Sequence, residues 1–110
     1  METVLQFEVE KYRVSLYSGT DLRFHERIHL YGANNSFANV QFYEEGATMP
    51  PPNVYTQSPV DIFLSYRSKR FASVLDVLRN EKPVYAWYDE GQRSGAISTD
   101  LERVGEGERE

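Results

Sequence analysis

Two histidines, His25 and His29, stand four residues apart, with Glu26 between them. Imidazole nitrogens are the commonest side-chain ligands for zinc, and a neighbouring carboxylate can take a proton from metal-bound water. Local conformation decides whether the three side chains act together. On an α-helix, four residues advance about 6 Å, and both rings reach one ion. On a strand they advance about 13 Å, and the rings cannot chelate one ion unaided.

The segment His25-Glu26-Arg27-Ile28-His29 resembles the His-Glu-x-x-His motif of the zincin metallopeptidases, where it lies on a helix. Gly32 falls where the metzincin pattern has its glycine. Asn35 falls where that pattern has a third histidine or an aspartate, and Met49 follows as a Met-turn would. The resemblance implies a minimal zinc-dependent hydrolase, with His25 and His29 as metal ligands and Glu26 as general base. Two positions depart from the pattern: Asn35 is a poor zinc ligand, and Arg27 sets a cation between the two ligand positions.

The hydrophobic pattern around the motif favours an extended chain. Leu22, Phe24, Ile28 and Leu30 share strand parity. A helix begun at Asp21 and ended at Gly32 would gather Phe24, Ile28 and Tyr31 but leave Leu22 and Leu30 off its face. Beyond the loop Gly32-Ala33-Asn34-Asn35-Ser36, Ala38, Val40 and Phe42 alternate with Asn39, Gln41 and Tyr43. Two alternating runs around a Gly/Asn loop are the signature of a hairpin, so strands are predicted over 22–31 and 37–44. Arg23, His25, Arg27, His29 and Tyr31 then line the face opposite the apolar one. This basic, titratable stripe is a candidate binding surface for a small anionic ligand or a protein partner's carboxylates.

Further strands are predicted from the same periodicity. Leu5, Phe7 and Val9 alternate on one parity, and Tyr12, Val14 and Leu16 on the other, which calls for a bulge or tight turn near Glu10-Lys11. Residues 45–59, with Pro50-Pro51-Pro52, read as one long loop, and Val60, Ile62, Leu64 and Tyr66 as the strand after it. Phe71, Val74, Leu75 and Leu78 form a helical stripe that Ser68 can cap and Pro83 must follow, predicting a helix over about 68–80. Val84–Tyr88 is apolar on both faces, as in a central strand. A last short strand is expected around 96–99.

Composition bounds the function. The chain has 110 residues and no cysteine, so thiolate metal sites, disulfides and cysteine nucleophiles are excluded. There is no Gly-x-Ser-x-Gly elbow and no phosphate-binding glycine loop. The net charge of -5 weighs against a nucleic-acid partner. The longest apolar run, Val84–Tyr88, is far shorter than the roughly 20 residues of a membrane span, so a cytoplasmic protein without membrane contact is expected.

The resulting expectation is an α+β domain over 1–101 with a flexible acidic tail over 102–110. Its sheet is curved and mainly antiparallel, of about five to seven strands, with one helix against it. One helix covers only part of such a sheet, so the sheet either curls towards a barrel or is covered by a second copy. The expected function is a non-catalytic binding or interaction module, homo-oligomeric and without a cofactor. The alternative is the zinc hydrolase of His25, Glu26 and His29.

Overall fold

A computed structural model of the chain describes residues 4–19 and 23–99. Leu22 of the predicted strand 22–31, Asp21 at the start of the helical alternative, and the tail expected over 102–110 lie outside the described residues. The architecture is α+β, as the sequence predicts. Eight strands and one α-helix are present among the described residues: β1 Val4–Glu8, β2 Lys11–Leu16, β3 Phe24–Tyr31, β4 Phe37–Tyr43, β5 Asn53–Gln57, β6 Val60–Arg67, α1 Phe71–Asn80, β7 Val84–Asp89 and β8 Ser94–Thr99.

These strands form two sheets, not one that curls into a barrel. The larger has the order β2-β3-β4-β6-β5, and the smaller the order β1-β7-β8. All pairs are antiparallel except β4 and β6, which run parallel. The small sheet and α1 supply the second layer over the large sheet. A second copy is therefore not needed to cover the core.

The division between the sheets falls where the hydrophobic parity changes. The Val9 amide donates to the Val84 carbonyl of the small sheet, and the next amide, Glu10, donates to the Tyr31 carbonyl of the large one. The parity slip thus marks a strand changing sheets.

Ile28, Leu30, Val40, Phe42, Ile62 and Leu64 are fully buried on one face of the large sheet. Phe7, Val74, Ala86 and Tyr88 close over them from the second layer. Each large side chain contributes about 1.5–3 kcal/mol of transfer free energy, set against the entropy of ordering it. Phe42 stacks on Tyr66 at 5.8 Å and meets Phe71 edge-on at 5.1 Å, which ties α1 to the sheet.

Several local expectations change. Residues 45–59 are not one loop: β5 occupies 53–57 and pairs with β6. The helix ends at Asn80, but residues 68–70 form a 3-10 turn and Ser68 does not cap it. Instead the Ser68 hydroxyl donates to Glu26 at 2.9 Å. Val84–Tyr88 is indeed central in its sheet, with Val84, Ala86 and Tyr88 buried inward and Tyr85 and Trp87 half-buried on the other face.

Candidate functional site

The face of the large sheet turned away from the core brings the candidate residues together. Register places Arg27 beside Gln41, His29 beside Asn39 and Tyr31 beside Phe37. From β2, Arg13 lies opposite His29 and Lys11 opposite Tyr31. From β6, Phe63 lies opposite Asn39 and Ser65 opposite Gln41. The rings of His29, Tyr31 and Phe37 meet one another, His29 and Phe37 at 5.2 Å.

Arg27 is the centre of this surface. Its guanidinium lies 5.0 Å from the centre of the Phe24 ring and 5.4 Å from that of Tyr17. Phe24 also contacts the Tyr43 ring. The aromatic faces hold the planar cation and displace water from it. Its Nε is buried without a hydrogen-bond partner among the described residues, as is the Asn39 Oδ1. Buried polar atoms are nearly always paired, so two such atoms on one face mark it as unusual.

Charge on this face is concentrated. Burial holds His29 below its usual pKa, and the Arg27 and Arg13 cations lower it further. The Tyr43 hydroxyl is pushed up by burial, while Arg27 and Arg23 pull it down. Arg13 and Arg27 thus act on His29, and Arg23 and Arg27 on Tyr43. Arg23 itself is exposed.

A strap crosses the other half of the same face. Residues 44–52 leave β4 and pass over β6 to reach β5. The Arg67 Nη1 donates to the Glu44 carbonyl at 2.6 Å and to the Ala47 carbonyl at 2.8 Å. The Ser65 hydroxyl donates to the Pro50 carbonyl at 2.6 Å. Between the strap and the sheet lies a cleft of about 660 Å³ whose walls include Asn39, Gln41, Phe63, Tyr55 and Pro50–Pro52.

The helix that the zincin likeness requires is not formed, because residues 24–31 are a strand. The three motif residues diverge. Glu26 accepts from Ser68 and pairs with Phe42 of the core face. His25 sits where the register shifts, and its Nε2 lies 2.8 Å from a Glu44 carboxylate oxygen. His29 lies in the aromatic cluster with Tyr31 and Phe37. Among the described residues, no three His, Asp or Glu side chains converge as a metal site.

Of the five predicted stripe residues, Arg27, His29 and Tyr31 stand together on this face, His25 is diverted to Glu44, and Arg23 is exposed before β3, beyond the register shift. The partners of Arg27 escape the sequence. Strict alternation assigns Phe24 to the core with Ile28 and Leu30, but the irregularity between Phe24 and Glu26 moves it to the outer face. Arg13 was not among the predicted site residues, although the alternation of Lys11, Arg13 and Ser15 with Tyr12, Val14 and Leu16 carries the signal for it.

No protein-family model, curated protein or solved structure matches the chain. No helix among the described residues is long and apolar enough to cross a membrane.

Proposed function

We propose that this chain is a small non-catalytic binding module, homo-oligomeric, that holds an anionic group on the outer face of its five-stranded sheet. The observation that carries this reading is Arg27, packed against the adjoining rings of Tyr17 and Phe24 with its Nε buried and unpaired among the described residues. A guanidinium held in this way is pre-organised and already partly dehydrated, so a carboxylate or phosphate meets it at low entropic cost. Arg13 and Arg23 add to the field on a chain whose net charge is -5. Neutral amides at Asn39 and Gln41 adjoin the cation and offer further hydrogen bonds.

The homo-oligomeric part of the reading draws on apolar side chains left outside the two layers, Leu16 and Tyr12 among them.

The test titrates the full chain with inorganic phosphate and with a ten-residue oligoglutamate peptide, following backbone and arginine side-chain NMR signals. Saturable shifts centred on Arg13, Arg27, His29 and Asn39 are expected in the native chain, with at least a tenfold weakening in R23A/R27A. Shifts absent with both probes, or unchanged by the double substitution, overturn the anion-binding reading.

A further inference from the structure

Strand β2 is an edge of the large sheet, and its free side has a defined pattern of main-chain groups. The Tyr17 amide donates to the His25 carbonyl, in line with the register that sets Lys11 against Tyr31 and Leu16 against Glu26. In an antiparallel pair the amides of alternate residues point to the same neighbour. The odd-numbered residues of β2 are therefore bonded to β3. Tyr12, Val14 and Leu16 direct their N–H and C=O groups outward, where no strand pairs with them among the described residues.

Side chains at these positions are apolar; Val14 packs against the core, whereas Tyr12 and Leu16 are exposed. Leu16 is 72% exposed and Tyr12 37% exposed, although both lie on the core-facing side of the sheet, opposite Glu26 and Leu30. The second layer leaves Leu16 open and only borders Tyr12, at a cleft that Tyr12 shares with Leu78 and Val84. An edge with unpaired main-chain groups and bare apolar side chains is a template for another strand.

We infer that β2 pairs antiparallel with β2 of a second copy of this chain, about a two-fold axis through Val14. This deepens the homo-oligomeric reading and does not depend on anion recognition. In that register Tyr12 exchanges main-chain hydrogen bonds with the partner's Leu16, Val14 with the partner's Val14, and Leu16 with the partner's Tyr12. All the outward groups of the strand are used. The apolar side chains meet each other, because a two-fold axis normal to the sheet keeps each face on its own side.

Charge selects this register from its neighbours. Sliding by two residues one way sets Arg13 directly opposite the partner's Arg13, and like charges so placed are destabilising. Sliding the other way leaves Tyr12 without a partner residue in the strand. In the inferred register Arg13 faces the partner's Ser15 and Lys11 the partner's Tyr17, so no like charges stand directly opposite. The outer faces of the two copies then join, and the Arg13 and Arg27 clusters lie on one continuous ten-stranded surface.

The experiment is sedimentation equilibrium on the full chain and on two charge variants, with far-UV circular dichroism to verify folding. The native chain is expected at twice the 12.8 kDa chain mass. Y12E/L16E sets Glu opposite Glu and should weaken association by about a hundredfold or more, whereas Y12K/L16E sets Lys opposite Glu and should stay within about tenfold of the native chain. Amide exchange on the native chain tests the same edge without substitution: exchange at Tyr12, Val14 and Leu16 should slow as protein concentration rises. A monomeric native chain at about 1 mM overturns this inference together with the homo-oligomeric reading. A native oligomer that Y12E/L16E leaves intact, or whose β2 amides exchange independently of concentration, overturns only the pairing through β2. Loss of association in Y12K/L16E overturns the register.

Discussion

Arg27 lies over the ring of Phe24, three residues before it, with the guanidinium 5.0 Å from the ring centre. In an unbroken strand, residues three apart point to opposite faces. The two meet because the pairing with β4 shifts between Phe24 and Glu26, leaving His25 as the extra residue. Substituting lysine for Arg27 keeps the charge but loses the planar group that packs against the Tyr17 and Phe24 rings. R27K should lower stability by about 0.5–2 kcal/mol, read from urea unfolding midpoints. An unchanged midpoint would mean that the stacking contributes nothing to the fold.

His29 gives the protein a pH dependence of defined sign. Burial and then the Arg27 and Arg13 cations hold its folded-state pKa below the ordinary value. As pH falls, the unfolded chain takes this proton before the folded one does. The stabilisation is complete above the unfolded pKa of about 6.5 and is lost as pH falls through that value towards the lower folded one. H29Q should therefore reduce the drop in melting temperature between neutral and mildly acid buffer. A drop equal to that of the native chain would contradict this assignment.

The strap over β6 is held by Ser65 and Arg67, with His25 on the Glu44 carboxylate at its start. In S65A/R67A the hydrogen bonds to the Glu44, Ala47 and Pro50 carbonyls are gone. A glutamate-specific protease should then cut at Glu44 or Glu45 faster than in the native chain, because cleavage follows local opening. Equal cutting rates would show that the strap is held by other contacts.

Phe42 is fully buried between Tyr66 and Phe71. F42A should cost about 3–5 kcal/mol in denaturant unfolding, from lost transfer energy and the cavity left behind. A cost below about 1 kcal/mol would mean that the layers collapse freely over the gap.

Gly95 lets β8 approach Leu64 of the large sheet closely. A Cβ there would lie 2.5 Å from Leu64 Cδ2 and 2.6 Å from the Trp87 carbonyl oxygen. G95A should destabilise by about 1–3 kcal/mol, since the carbonyl cannot rotate away as a side-chain end can. A neutral result in thermal unfolding would place β8 farther from β6.

The periodicity of β3 and β4 made their hairpin legible, because apolar residues recur at period two on both sides of a Gly/Asn loop. The helix was legible from one apolar stripe and the proline after it. β5 was hidden, since the short run Asn53–Gln57 follows three prolines and is largely exposed. Phe24 was misplaced because alternation carries no information about a bulge. His25 and Glu26 shared a motif by sequence alone, and the strand sent one to Glu44 and the other to Ser68.

Residue order alone determined which segments extend, which one coils, and that a basic stripe must share a strand with Ile28 and Leu30. Those are short-range consequences of side-chain period and backbone chemistry. Only the tertiary structure decided that the chain divides into two sheets between Val9 and Glu10, that a second layer within the same chain covers the core, and that Tyr17 and Phe24 pack together against Arg27. These depend on which strand edges meet, and pairing between distant segments is set by the packing of the whole rather than by local period.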